Sequence, residues 1–129
     1  MPVPIQIDHR ENPSGVPELL AGNAEVSLEV SSLRAGDYII NEVIGVERKS
    51  AEDFVQSIIS NRLFEQLSRL KKSVARPLLI VEGNPYKTTH TIHAHSIRGA
   101  LLSALLAWQV PVMFSKNKED TAVLLLMAA

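Results

Sequence analysis

The run Pro77–Val81 (Pro-Leu-Leu-Ile-Val) constrains the fold most strongly, because a strand without polar residues is typical of a position that is covered on both faces. Before this run, apolar residues recur at helical spacing from Ala51 onward, which predicts a helix there. A second apolar helix is predicted over Ile97–Trp108, followed by a buried strand at Val110–Phe114 and a last helix over Lys118–Met127. Strands therefore alternate with helices in this half of the chain.

The first half of the chain reads as a meander of short strands with one short helix over Val16–Ala21. The helical pattern that starts at Ala51 is expected to divide at Asn61. The predicted strands are Val3–Asp8, Glu25–Val30, Tyr38–Ile40 and Ile44–Glu47. We therefore predict the α/β class, with a mixed central sheet covered by helices.

Composition limits the classes of function. The 129 residues, 46% of them hydrophobic, fit one domain over 1–129, and the net charge of −1 gives no strongly basic field for nucleic acid. The absence of cysteine excludes disulfides, thiol catalysis and thiolate zinc sites. The N-terminus lacks the pattern of a signal peptide, and the longest uncharged stretch, Gly99–Ser115, is too interrupted for a membrane span. We expect an intracellular protein with no membrane partner.

A hairpin with a three-residue loop centred on Glu42 sets Asp37 opposite Glu47. Opposed carboxylates repel, and both stay ionised only with a positive charge between them, which a hard divalent cation supplies. Lys49 shares the face of Glu47, whereas the Arg48 side chain points away and its carbonyl could be a further ligand. Two acids and a lysine around a metal suit the hydrolysis of a phosphodiester.

The alternative is an exposed hairpin whose charges are merely solvated. A second cluster favours a site, because Asp8, Arg10 and Glu11 end the first predicted strand and could join the same acidic group. His9 is expected to point away from its neighbours on that strand. In the loop before the Ile97 helix, His90, His93 and His95 are better explained by a polar loop or a helix cap than by zinc binding.

The chain resembles the nuclease domain of the XPF/Hef family of structure-specific endonucleases, a branch of the restriction-endonuclease-like fold. The signature of that family is Gly-Asp, a variable hairpin loop, Glu-Arg-Lys, and an Asp four residues after the Lys. It stands here as Gly36-Asp37, Glu47-Arg48-Lys49 and Asp53. Further matching elements are Asp8, Arg10 and Glu11 (D-x-R-E), Arg62, Leu63 and Gln66 (R-L-x-x-Q), Val81–Gly83, and Ser96–Leu101.

The resemblance implies a restriction-endonuclease-like mixed sheet of about six strands and a set of catalytic roles. Asp37, Glu47 and the Arg48 carbonyl would hold Mg²⁺ or Mn²⁺, and Lys49 would position the attacking water. Glu11 would serve a second metal or the water network, supported by Asp8 and Arg10. Asp53 belongs to the motif, but Ser50-x-x-Asp53 is equally a helix-capping arrangement.

The resemblance also implies branched duplex DNA as substrate, such as 3′-flap, splayed-arm or fork DNA in repair or recombination. Arg48, Lys49, Arg62 and Gln66 are the candidates for DNA contact, although Arg62 could instead pair with Glu65. The basic residues over 69–76 are better explained as a solvated helix end. The tandem helix-hairpin-helix module typical of the family lies outside these 129 residues, so we expect a DNA-gripping or sliding-clamp partner in trans.

The C-terminal region is more apolar than a monomer of this size needs to bury. Leu101, Leu105 and Trp108 form one helical stripe, and Leu102 and Leu106 form another. Large exposed apolar patches mark interfaces, and we predict a two-fold homodimer through the C-terminal helices and strand. The rival function is a catalytically silent or partner-dependent scaffold, but such subunits usually lose the acids and the lysine. The localisation expected is cytoplasmic and nucleoid-associated, or nuclear in a eukaryote.

Overall fold

A six-stranded mixed sheet forms the centre of the molecule in the computed structural model, which describes all 129 residues. The strands are β1 (Val3–Asp8), β2 (Val26–Ser31), β3 (Tyr38–Ile40), β4 (Ile44–Ser50), β5 (Arg76–Glu82) and β6 (Val112–Ser115). They are ordered β2-β1-β3-β4-β5-β6, with β3 antiparallel to both of its neighbours and the other pairs parallel. The predicted α/β fold with a mixed sheet of about six strands is confirmed.

Helices cover both faces of the sheet. They are α1 (Val16–Leu20), α2 (Ala51–Ile59), α3 (Leu63–Ser73), α4 (Ala94–Leu106) and α5 (Lys118–Ala128). One apolar core joins α1 and α5 to the sheet, and a second core joins α2, α3 and α4 to its other face. Leu79, Ile80 and Val81 are fully buried between these layers, which explains why β5 lacks polar residues at its centre.

The β3–β4 hairpin has the register predicted from its loop, with Ile40 opposite Ile44 and Tyr38 opposite Val46. Asn41 and Glu42 turn the chain with positive φ angles of 52° and 61°. These left-handed conformations suit a short loop between twisted strands. The register places the residues that flank the hairpin, Asp37 and Glu47, at the same level of the sheet.

The chain after β1 departs from the prediction. His9–Ser14 forms a short 3₁₀ helix and does not continue the strand, so the expectation that His9 alternates on a strand is wrong. The Asp8 side chain accepts a hydrogen bond from the Arg10 N–H and thereby caps this turn. His9 is exposed and lies 3.3 Å from the Ser32 hydroxyl through Nδ1.

Two other boundaries follow local chemistry. The division between α2 and α3 falls at Asn61, as predicted, where φ is 59°. α4 begins three residues earlier than predicted, because His93 caps it: the His93 Nδ1 accepts a hydrogen bond from the His95 N–H at 3.1 Å. β6 begins at Val112, two residues later than predicted.

An apolar surface remains uncovered on the C-terminal elements. α4 buries Ile97, Ala100 and Ala104 against the sheet and leaves its other side to solvent. The exposed members of this C-terminal apolar face are Leu102, Leu105, Leu106, Met113, Phe114, Val123 and Met127. No helix of the protein has both the length and the apolar character that crossing a membrane requires.

Candidate active site

The sequence-predicted residues converge on one edge of the sheet. Strands β1, β4, β5 and β6 run in the same direction, so their carboxyl ends meet there. Asp8 ends β1, Glu47 and Lys49 lie toward the end of β4, and Asp37 directly precedes β3. Open α/β sheets bind their ligands outside this edge.

Asp37 is held by the backbone of β4. Its N–H donates to the Val46 carbonyl at 2.7 Å, and its Oδ2 accepts from the Arg48 N–H at 2.7 Å. Gly36 makes this approach possible, because its φ is +79° and an added Cβ would lie 3.0 Å from Leu70 Cδ1 and 3.3 Å from the Val46 carbonyl oxygen. The Gly-Asp pair therefore fixes one carboxylate against the next strand.

Asp37 and Glu47 form a half-buried acidic pair. Burial, and then the charges of Glu47 and Glu11, raise the pKa of Asp37 from 3.8 to about 8. Burial also raises the pKa of Glu47, which the Lys49 ammonium lowers in part. Neither carboxylate contacts a guanidinium or ammonium closer than the 4.0 Å that separates Lys49 Nζ from Glu47 Oε2.

Lys49 shares the face of Glu47, as the strand alternation predicted. The residue is 8% exposed, and its neighbour on β5 is the buried Val81. The side chains packed around Lys49 therefore hold its ammonium group in position, 4.0 Å from the Glu47 carboxylate. The arrangement combines two acids and one amine at the same edge of the sheet.

The donor chemistry of this edge fits a hard divalent cation. Asp37 and Glu47 bring two carboxylates together with no guanidinium or ammonium closer than 4.0 Å, and oxygen is the ligand that Mg²⁺ and Mn²⁺ prefer. No three His, Cys, Asp or Glu side chains stand close enough together to form a complete protein site. The third candidate ligand is the Arg48 carbonyl, since the N–H and C=O of a strand residue point to the same side and the Arg48 N–H meets Asp37.

A polar cleft of about 250 Å³ opens above the acidic pair. Its lining includes Asp37, Glu47, Gln66 and three arginines: Arg10, Arg34 and Arg69. The Gln66 Oε1 is buried and has no hydrogen-bond partner in the chain. A buried, unpaired amide oxygen is uncommon and fits a position that a ligand or a bound water completes.

Asp8 organises one wall of this cleft. It is fully buried, and its hydrogen bond from Arg10 Nε at 2.7 Å lowers its pKa to about 2 in spite of that burial. The other Asp8 oxygen accepts from the Leu33 N–H at 2.9 Å. One carboxylate thus fixes both Arg10 and the loop that precedes Gly36.

The Arg48 side chain lies on the opposite face of the sheet, in a buried polar network. It makes two hydrogen bonds to Glu82, at 3.1 Å from Nε and 2.6 Å from Nη2, and lies 3.5 Å from Glu11. Although burial raises the pKa of Glu82, hydrogen bonds from Arg48 and from Thr121 lower it below its ordinary value. Tyr38 donates to Glu11 at 2.7 Å and completes the network.

This Arg48–Glu82 network includes residues that the sequence analysis did not single out. Glu82 lies within the V-E-G element, but nothing in the local pattern showed its partner. Thr121 on α5 donates to Glu82 at 2.6 Å and lies 2.6 Å from the Ser115 hydroxyl. Glu11 is engaged by Tyr38 and Arg48, so both of its oxygens have partners within the fold.

Asp53 and Arg62 stand apart from the cleft. The Ser50 Oγ accepts from the Asp53 N–H at 3.1 Å, so the capping arrangement is present, and the Asp53 side chain is exposed at the first turn of α2. Arg62 donates to the Ser60 hydroxyl at 3.3 Å. Glu65, its alternative partner, instead pairs with Arg69 at 2.9 Å. Arg69, Lys71 and Lys72 are all exposed toward the end of α3, as expected of a solvated helix end, and Arg69 also lines the cleft.

A mixed six-stranded sheet with an acidic pair and a lysine at its carboxyl edge defines a domain of the restriction-endonuclease-like class. The ERCC4 domain profile matches residues 7–127. The chain therefore belongs to the ERCC4 domain family, and the resemblance to the XPF/Hef nuclease domain is confirmed.

Individual relatives agree with this assignment. The chain is 39% identical over 126 residues to the 3′-flap repair endonuclease Xpf of Saccharolobus solfataricus, covering 97% of this chain and 54% of that protein. It is 44% identical over 128 residues to a protein of Methanocaldococcus jannaschii that bears the name of an ATP-dependent RNA helicase, covering 99% of this chain and 15% of that protein. The structure of XPF from Aeropyrum pernix in complex with DNA matches with a TM-score of 0.90 at 32% identity, over 98% of this chain and 62% of that chain.

Proposed function

We propose that this domain is a Mg²⁺- or Mn²⁺-dependent DNA endonuclease that hydrolyses phosphodiesters near branch points, in DNA repair or recombination. The observation that carries the proposal is the half-buried acidic pair of Asp37 and Glu47, which lies beside the buried Lys49 and has no close cationic partner. A purely structural pair of acids would be expected to pair with an arginine, as Glu82 does.

Each residue of the site has a separate role in the proposed reaction. Asp37, Glu47 and the Arg48 carbonyl would hold the cation, which when bound polarises a phosphoryl oxygen and lowers the pKa of its water. Lys49 donates a hydrogen bond to the attacking water and stabilises charge that develops on the phosphate. The Gln66 amide, unpaired at the wall of the cleft, orients the same water or a phosphate oxygen.

Two of the relatives support the proposal that the substrate is branched DNA. The Saccharolobus protein is named a 3′-flap repair endonuclease, and the Aeropyrum structure contains DNA. We extend these properties to this domain and propose 3′-flap, splayed-arm or fork DNA as its substrate. The chain spans 15% and 54% of the two curated relatives, so further protein, supplied in cis or by a DNA-gripping or sliding-clamp partner, would select the junction.

Cleavage of an end-labelled 3′-flap duplex tests the proposal, with Mg²⁺, Mn²⁺ or EDTA in parallel reactions. We expect metal-dependent cutting near the branch, and a loss of at least about 10²-fold in rate for Asp37→Ala and Lys49→Ala. Lys87→Ala is the matched control, because that lysine is exposed in the loop after β5.

Two outcomes would contradict the proposal. The absence of cutting by the wild-type protein at high enzyme concentration would favour the scaffold or partner-dependent function. Cutting that survives both site substitutions would indicate a contaminant or a different active site.

We also propose that two copies associate through the C-terminal apolar face defined above. Seven large apolar side chains from α4, β6 and α5 are exposed there, and large exposed apolar patches mark protein interfaces. Sedimentation of the wild-type protein should give a dimer at micromolar concentration. Leu106→Glu should shift it to monomer, whereas Val43→Glu at the hairpin tip should leave it dimeric. A wild-type protein that sediments only as monomer would refute this proposal.

A further inference from the structure

Arg34 stands at the rim of the cleft without any partner. The side chain is exposed, makes no hydrogen bond or ion pair within the protein, and lines the same cleft as Asp37 and Glu47. The loop that carries Arg34 is held in place, because the neighbouring Leu33 N–H donates a hydrogen bond to the buried Asp8 carboxylate at 2.9 Å. A fixed loop thus presents an unpaired guanidinium to the site.

Arg69 occupies another part of the same wall. It projects from α3, about one helical turn after Gln66, and its side chain is 58% exposed. Its ion pair with Glu65 is an exposed pair between residues four apart on one helix, so it contributes little to stability and another anion can replace Glu65. The charge of Arg69 reaches the cleft, since it lowers the pKa of Glu47 in part.

Cationic residues such as Arg34 and Arg69 are needed to balance the negative charge of the cleft. Its floor is acidic and repels phosphate, and the net charge of the whole chain, −1, gives no general attraction. A nucleic-acid backbone can approach only where local cations offset this repulsion. Arginine is suited to that position, because its planar guanidinium binds phosphate through two parallel hydrogen bonds.

We propose that Arg34 and Arg69 bind backbone phosphates of the DNA substrate that flank the phosphodiester held over Asp37 and Glu47. This inference rests on the proposed endonuclease function and adds two phosphate-binding residues to its substrate cleft. The buried Asp8 acts as a positioning residue for one wall, since it holds the backbone of the Arg34 loop and the Arg10 side chain together.

Salt dependence of DNA binding tests the inference separately from catalysis. Fluorescence anisotropy of a labelled 3′-flap duplex is measured in EDTA, so that no metal-dependent cleavage occurs, over a series of salt concentrations. The slope of log K against log salt concentration falls by about 0.9 for each duplex phosphate that the protein ceases to neutralise. We expect that decrease for Arg34→Ala and for Arg69→Ala, and about twice that decrease for the double variant.

Two control variants sharpen the result. Arg76→Ala removes an exposed arginine at the start of β5, on the opposite edge of the sheet, and should keep the wild-type slope. Arg34→Lys should also keep most of the slope, because a lysine still neutralises a phosphate, but it should weaken binding since it cannot form the second parallel hydrogen bond.

The inference is overturned if Arg34→Ala and Arg69→Ala bind with the slope of Arg76→Ala, or if the wild-type protein shows no salt-dependent binding at all. Failure of the proposed function looks different. In that case the wild-type protein binds the duplex, and the arginine variants alter the slope, but neither Mg²⁺ nor Mn²⁺ produces cutting. Both target side chains are exposed, so loss of folding should not confuse either result.

Discussion

The acidic pair should lower the stability of the folded protein in the absence of metal, and Asp37→Asn tests this directly. Directly opposed strand residues have Cβ atoms about 5 Å apart, and two unit charges at that separation repel by about 3 kcal/mol at an effective dielectric constant of about 20. Burial of Asp37, and then repulsion from Glu47, favour the protonated carboxyl and raise the pKa of Asp37 to about 8. An asparagine keeps the acceptor for the Arg48 N–H and removes the charge.

The sign of the pH dependence follows from the proton balance. Asp37 binds its proton more tightly in the folded state than in the unfolded state, where its pKa is near 3.8. Wild-type stability should therefore decrease as pH rises from about 4 to about 8. Since water in the open cleft screens part of the effect, we expect Asp37→Asn to be more stable than wild type by about 1–3 kcal/mol at pH 7.5. The difference should vanish near pH 4.

Thermal unfolding followed by circular dichroism in EDTA measures the difference. For a domain of this size, about 1 kcal/mol raises Tm by roughly 4 °C. Mg²⁺ should raise the Tm of the wild-type protein and have less effect on the variant, because the variant lacks one ligand. A variant that is less stable than wild type at pH 7.5, or a gain that does not change between pH 4 and pH 8, would refute this reasoning.

Two further predictions concern the scaffold. Glu82→Gln should reduce the free energy of unfolding by about 2–4 kcal/mol in urea, because it leaves the half-buried Arg48 guanidinium with only the Glu11 carboxylate, at 3.5 Å, as a charged partner; a change below about 0.5 kcal/mol, as expected of the exposed Glu65→Gln, would contradict it. Gly45→Ala should destabilise by about 1–3 kcal/mol, because the new Cβ would lie 2.5 Å from Val74 Cγ1. Gly99→Ala separates this clash from the effect of adding a methyl group, since Gly99 has no positive φ and nothing lies within 4 Å of its added Cβ; equal losses in both variants would refute the steric explanation.

Local chemistry was enough to predict the elements that place the acidic pair. The loop centred on Glu42 sets the register of the hairpin, and register alone brings Asp37 level with Glu47. The break at Asn61 and the cap at Ser50 are also local signals, each decided within four residues. The acidic pair and Lys49 were therefore found from the alternation of a strand.

Long-range partners explain what the sequence could not predict. Arg48 is paired by groups from the end of β5 and the 3₁₀ helix, which lie more than 30 residues away in sequence. The 3₁₀ helix follows β1 directly because Asp8, the last residue of the strand, is shared between Arg10 and Leu33, which lies 25 residues away. Arg34 lies in a loop without periodicity, and only its position two residues before Gly36-Asp37 could have drawn attention to it.

Because side chains alternate between the two faces of β4, the consecutive residues Glu47, Arg48 and Lys49 have two different roles. Glu47 and Lys49 face the cleft, while Arg48 between them bonds to Glu82 in the opposite layer. Mutational tolerance should divide accordingly, because a copy of this domain that lost the proposed nuclease activity could replace the outer two residues and even gain stability. It could not replace the arginine without leaving Glu82 and Glu11 without their cationic partner. Such copies should thus keep Arg48 and lose Glu47 and Lys49.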